Sequence, residues 1–497
     1  MVQQPDPSLI NDDIRPTDAA SRTWSVFNMA ALWIGMVVCV PTYTLAGGLV
    51  AEGMSAWQAI GTILLGNAIV LVPMVLNGHP GTKYGVPFPV LARASFGIYG
   101  ANIPSVLRGL VACGWFGINT WFGGVSIYFL LNTITGGLLE GGDLPLLGIN
   151  GGELLCFLLF WVLQIAVVYK GIESIRLLET WAAPFLLFMG LCLLAWAYVK
   201  AGGFGETFTR PSAFVSGGAR EGQFFSVFFP SLTAMVGFWA TLSLNIPDFT
   251  RYARSQRDQL LGQALGLPLT MTLFAFIAVA VTGATTTIFG ETISDPTQLL
   301  GRMGETSTGL GAGFTVGLSL FVLAVATLST NIAANLVSPA NAFINVNPRR
   351  VSFQLGGYIT AAIGMVILPW KLLESSGDYL FVWLNGYSAL LGPIGGILVV
   401  DYFVLRRTKL SLDDLYQVRG RYFYSGGFNI VAIVALVAGA LPNLPGFLHK
   451  AGVIGDGVVP VFFDQIYTFA WFAGFGIAGL LYAGVMFALG KSSMEAA

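Results

Sequence analysis

Apolar stretches of roughly 18 to 25 residues, parted by short polar segments, fill the sequence from residue 25 onward. Inside a bilayer each backbone polar group must find its partner within the protein, so repeated stretches of this kind predict helices. Twelve spans are expected, at approximately 25–50, 57–77, 102–132, 152–169, 180–199, 223–247, 262–289, 312–343, 353–369, 378–404, 428–447 and 465–489. Two are interrupted. The first reads LWIGMVVCVPTYTLAGG, with Gly35 and Pro41, and the sixth reads MVGFWATLSLNIPDF, with Gly237 and Pro247. One such break is often an ordinary kink. A matched pair, at the openings of spans 1–5 and 6–10, predicts an inverted-repeat transporter with a site near mid-membrane.

Composition agrees with this reading. The chain is 55% hydrophobic and 10% charged, with a mean hydropathy of +0.74, whereas soluble domains carry about 25% charged residues. Placing the N-terminus in the cytoplasm puts 18 of the 24 Lys and Arg in the tails and in loops after even-numbered spans. This bias predicts twelve spans in the inner (plasma) membrane with both termini cytoplasmic. The expected division is a cytoplasmic tail (1–24), a first repeat (25–200) and a second repeat (201–405). A cytoplasmic loop (406–427), two additional spans (428–490) and a final tail (491–497) complete it. The first 24 residues are polar and hold four aspartates, so no cleavable signal peptide is expected. Cys39, Cys113, Cys156 and Cys192 have no metal or disulfide spacing and read as packing residues. A net charge of −1 gives no reason to expect nucleic acid as a partner; the expected partners are a small molecule, a coupling cation and membrane lipid.

Candidate chemistry sits in amides, hydroxyls and indoles. No Asp, Glu, Lys, Arg or His falls near the middle of a predicted span, leaving little for a proton relay. The stretch ACGWFGINTWFGG (112–124) carries Trp115 and Asn119 four residues apart, on one helix face. An indole beside an amide suits a flat heterocycle, although taken alone the pair reads more simply as packing and helix–helix bonding. In ATLSTNIAANLVSPA (326–340), Ala326, Ser329 and Thr330 share a face, while Asn331 and Asn335 share another. Two faces suit two adjoining sites, one for a cation held by hard oxygens and one for an organic ligand. The plainer reading is small polar residues acting as interhelical glue. Catalysis finds no support: there is no phosphate-binding loop, HExxH or His-based triad, so no enzyme is expected.

Several long blocks resemble the nucleobase:cation symporter-1 family, most of all its bacterial allantoin and hydantoin permeases. They are GTKYGVPFPVLARASFGIYGANIPS (81–105), WFGINTW (115–121), GFWATLSLNIPDFTRYA (237–253), ATLSTNIAANLVSPA (326–340), LGPIGGILVVDYFVLRR (391–407) and LSLDDLY (410–416). The resemblance implies an all-α polytopic fold of leucine-transporter type, with two inverted five-helix repeats and two extra helices. It implies uptake of a nucleobase, ureide or hydantoin by symport with sodium or protons. Carried over by motif, Trp115 and Trp239 would stack on the ligand. Asn119 and Asn335 would bond it, with the Gly237 backbone and Cys39 nearby. The cation would meet the carbonyls of Gly35, Val38 and Ala326 and the hydroxyls of Ser329 and Thr330. Two positions depart from the family pattern. Asn119 stands where Gln is usual, and Cys39 where a polar amide is frequent. The rival expectations are a same-fold carrier of a vitamin, amine or amino acid, and a channel.

Overall fold

The computed structural model describes residues 4–139, 141–170, 187–306, 310–373 and 378–490. The start of the expected fifth span, the tail 491–497 and the side chains of Ala326 and Ser329 lie outside the described part.

The first span is two helices, α1 (Val26–Val37) and α2 (Val40–Ala51), bent by 60° at their junction. Cys39 is extended there, with φ −143° and ψ 163°. Pro41 sits in the first turn of α2, where its missing N–H leaves no bond unmade. A capping box of Ser55 and Gln58 opens α3 (Ala56–Tyr84), and Gly85 closes it with φ +72°. Then follow α4 (Phe88–Phe96), α5 (Asn102–Thr135), a short antiparallel hairpin and α6 (Gly151–Lys170). Next come α7 (Leu187–Lys200) and α8 (Gly205–Thr209).

The sixth span is also divided. Trp239, with ψ 6°, separates α9 (Phe224–Phe238) from α10 (Ala240–Asn245), and α11 (Pro247–Thr250) follows. Beyond it lie α12 (Gln256–Phe289), α13 (Pro296–Thr306), α14 (Leu310–Asn335), α15 (Val337–Val346) and α16 (Phe353–Val366). The chain ends with α17 (Asn385–Val399), which widens into π-type turns at both ends, then α18 (Ile430–Ala440), α19 (Leu444–Lys450), α20 (Val461–Thr468) and α21 (Ala470–Ala488). Among the described residues eight helices are long and apolar enough to cross a membrane, and the bent pair α1–α2 makes a ninth. The fifth, sixth and ninth expected spans contain the shorter apolar helices α7, α9 and α16.

Packing sorts these helices into groups. Helix α12 lies along α1, α2 and α3, and α9 joins α3. Helices α6, α14, α15 and α16 gather on α5, and α18 and α21 pack with α17. Spans 1–2 therefore meet spans 6–7, and spans 3–4 meet spans 8–9, so corresponding members of the two halves adjoin. Close approach depends on small residues. A Cβ on Gly266 of α12 would lie 2.6 Å from that of Trp33 on α1, so only glycine fits.

One end of the molecule carries a polar lattice. Arg93 of α4, fully buried, donates through Nη2 to Asn345 Oδ1 (2.7 Å) and through Nη1 to the Leu415 carbonyl (2.9 Å). Buried Asp401 accepts from Arg406 (2.7 Å) and Tyr482 (2.8 Å). The N-terminal segment, expected only as a polar tail, packs on this end. Leu9 and Ile14 are buried with Val90, Leu415 and Tyr422, and Tyr416 donates its hydroxyl to the Ile14 carbonyl at 2.7 Å.

Candidate functional site

The two helix breaks open onto one cavity of about 30 Å³, where Met36, Cys39 and Pro41 from the first break face Phe238, Trp239 and Thr241 from the sixth. Trp115 and Asn119 of α5, and Thr330, Ala334 and Asn335 of α14, complete the wall. Sequence positions up to 299 residues apart, Met36 and Asn335, thus meet because both breaks face the α5–α14 pair. A larger cavity of about 310 Å³ lies alongside, and Cys39 borders both. That chamber is walled almost wholly by apolar side chains such as Phe188, Leu193 and Leu323. Of the two, the smaller one gathers the amides Asn119 and Asn335 with the indoles of Trp115 and Trp239, which makes it the candidate ligand site.

Both tryptophans are buried, and Phe238 touches each of them edge-on, with centroid distances of 5.2 Å to Trp115 and 4.9 Å to Trp239. Trp115 also packs edge-on against Tyr379, Trp383 and Tyr387. Trp33 meets Trp239 at 83°. The cavity holds a few waters at most, since each needs about 10–15 Å³ by the same measure. A ring ligand would require movement of the aromatic wall, and Phe238 is the side chain in contact with both indoles.

The amides are held firmly. Asn119 donates from Nδ2 to the Trp115 carbonyl of its own helix (3.1 Å), while its Oδ1 is buried without a protein partner. Asn335 donates from Nδ2 to Asn331 Oδ1 at 3.0 Å. The Trp239 indole N–H is another buried group with no partner in the protein. Unmet buried polar atoms are costly, so their gathering at one cavity points to a polar ligand. Gly237 differs from expectation: it does not line the cavity, and its carbonyl accepts from the Tyr387 hydroxyl at 2.8 Å.

Of the expected cation ligands, Gly35 and Thr330 come together, with Thr330 Oγ1 3.2 Å from the Gly35 carbonyl oxygen. Val38, at φ −80° and ψ 78°, has left the helix, which frees carbonyls near the break. On α14, Ala326 lies one turn before Thr330 and Ser329 immediately precedes it. The expected donor set would be all hard oxygen, the ligand type an alkali cation takes. Sequence reasoning missed Phe238, which in an apolar run looks like core. Gln164, an amide within α6, also escaped notice, because its role depends on the neighbours it bonds across helices.

Residues 16–474 match the family described as "Permease for cytosine/purines, uracil, thiamine, allantoin". The chain belongs to the nucleobase:cation symporter-1 family. It is 51% identical over 488 residues to the purine-uracil permease NCS1 of Arabidopsis thaliana, covering 98% of this chain and 79% of that protein. It is 41% identical over 488 residues to the allantoin permease of Bacillus subtilis (strain 168), covering 97% and 94%. Among solved structures, the nucleobase-cation-symport-1 transporter Mhp1, closed with bromovinylhydantoin bound, superposes with a TM-score of 0.78 at 26% identity. That superposition covers 98% of this chain and 97% of Mhp1. The fold is the leucine-transporter type, and this member of the symporter family is an integral membrane permease, not an enzyme.

Proposed function

We propose that this symporter imports a small planar nitrogen heterocycle or ureide across the cytoplasmic membrane, with both termini inside, driven by sodium. The observation that carries the reading is the convergence of Trp115, Trp239, Asn119 and Asn335 on one cavity at the two helix breaks. In this reading the indoles stack on the ring and the amides bond its polar edge. Ala326, Ser329 and Thr330 join the Gly35 and Val38 carbonyls around the cation, and Cys39 shapes the neighbouring wall. The two five-helix repeats are taken as residues 25–200 and 201–405, which places one break at the opening of each. A buried carboxylate that could carry a proton is not among the cavity-lining residues, and this favours sodium over proton coupling. Relatives named for purine-uracil, allantoin and hydantoin transport support the substrate class. The test is uptake of labelled allantoin, hydantoin, uracil, cytosine and adenine into proteoliposomes, with an inward sodium gradient or none. Saturable uptake of at least one compound, accelerated by the gradient, is expected. Uptake of none would overturn the substrate class, and uptake driven by a pH gradient alone would overturn sodium coupling.

A further inference from the structure

A chain of hydrogen bonds leads from the cavity into the packing of α5, α6 and α14. Asn335 Nδ2 donates to Asn331 Oδ1 (3.0 Å). Asn331 Nδ2 donates both to Gln164 Oε1 (2.6 Å) and to the Phe116 carbonyl (3.0 Å). Gln164 Nε2 donates to Thr120 Oγ1 (2.8 Å), and the Thr120 hydroxyl donates to the same Phe116 carbonyl (2.6 Å). Thr120, Gln164 and Asn331 are fully buried, and none of them lines the cavity.

The sense of this chain is fixed at its inner end. A backbone carbonyl only accepts, so Thr120 gives its one proton there and can only accept from Gln164. Gln164 must then turn its oxygen to Asn331. With both Nδ2 hydrogens engaged, Asn331 can offer Asn335 only an oxygen. Asn335 therefore directs its nitrogen inward and its carbonyl toward the cavity. Reversing any amide would set two acceptors or two donors against each other where no water can help. Asn119 is held alike, with its nitrogen on a backbone carbonyl and its oxygen unpartnered.

We propose that Asn331 and Gln164 are positioning residues that set substrate specificity. They hold the Asn335 carbonyl outward, so that the site selects ligands presenting a ring N–H to it. This inference rests on the heterocycle reading above.

Matched ligands test it. Uracil and cytosine share a ring size but invert one edge: uracil presents N–H beside a carbonyl, cytosine a bare ring nitrogen beside an amino group. Hypoxanthine and adenine invert the same edge on a purine. Binding of all four to purified protein is read by calorimetry, with thermal unfolding as the check on folding. Wild type is expected to favour the N–H member of a pair. Asn331→Leu frees Asn335 to rotate and should narrow that preference by about tenfold, the worth of one buried hydrogen bond. Gln164→Leu should narrow it in the same direction, and carries the test if Asn331→Leu does not fold. Gln164→Glu, in the protonated form that burial favours, keeps an acceptor toward Asn331 and an O–H toward Thr120, and should retain the wild-type ratio at acidic pH. A merely structural network would lower both affinities together, so an unchanged ratio in folded leucine variants overturns the proposal. Wild-type preference for cytosine or adenine also overturns it. Binding of none of the four overturns it, whereas the heterocycle or ureide reading falls only if allantoin and hydantoin are not taken up either.

Discussion

Asn119 is a short amide among indoles and glycines, and its cost in an apolar span is met only on the nitrogen side. An isolated amide offers a donor and an acceptor equally, but here folding commits a nitrogen hydrogen of both Asn119 and Asn335 to the protein. Lengthening the side chain by one methylene in Asn119→Gln would carry the carbonyl deeper into a cavity that is already small. Competition assays should therefore show a changed substrate ranking more than a loss of total binding. Asn335→Ala should weaken every substrate, because Asn119 lies on another helix and cannot replace its carbonyl. Stacking is the other contribution. Trp115→Ala and Trp239→Ala are each expected to cost about 1–3 kcal/mol in affinity, by analogy with base–aromatic stacking. Unaltered affinity in both purified variants would remove the indoles from the site. Trp115, Asn119 and Asn335 stand out in the sequence as an indole and amides in apolar spans, whereas Trp239 is reached only through the family resemblance; the structure brings all four to one cavity. Gln164 was equally conspicuous, but its meaning depends on which neighbours accept from it, and that is a property of packing.

At the scale of elements, the two breaks were legible and their positions nearly so. Gly35 and Pro41 bracket the first break, which the structure places at Val38–Cys39, where the backbone leaves the helix. In the sixth span the division falls at Trp239, between the expected Gly237 and Pro247. A Cβ at Gly237 would collide with Ser388 of α17, so glycine at this position serves close helix packing and does not mark the break. The packed N-terminal segment was not legible, because only sparse apolar residues such as Leu9 and Ile14 anchor it within a polar stretch. The first break leaves the Gly35 carbonyl facing Thr330, and in the sodium reading this is where coupling would begin. Ser329→Ala combined with Thr330→Ala should abolish the stimulation of substrate binding by sodium. Sodium-free affinity should stay within a few-fold of wild type. Persistent sodium stimulation in the folded double variant would place the cation elsewhere.

For the molecule as a whole, the arrangement of helix groups decides how two ligands could assist each other. Gly35, Cys39 and Trp239 belong to the group built from α1, α2, α3, α9 and α12, whereas Trp115, Asn119, Thr330 and Asn335 belong to α5 and α14. The heterocycle would bridge these groups through Trp239 and the two amides. The cation would bridge the same groups through Gly35 and Thr330. Each ligand would then favour the same closed relation of the groups, and a ligand shifts an equilibrium only by its differential affinity for the two states. Bound together, they lower the free energy of that arrangement jointly, which is the condition for symport rather than leak. Linkage makes the effect reciprocal, with couplings of about 1–3 kcal/mol typical, or roughly 5- to 150-fold. Titrating the heterocycle at several sodium concentrations should show its affinity rising to a plateau. Titrating sodium at several heterocycle concentrations should show the same factor. Affinities that ignore each other would mean that the two sites do not share a closing motion, and the bridging account of coupling would fail.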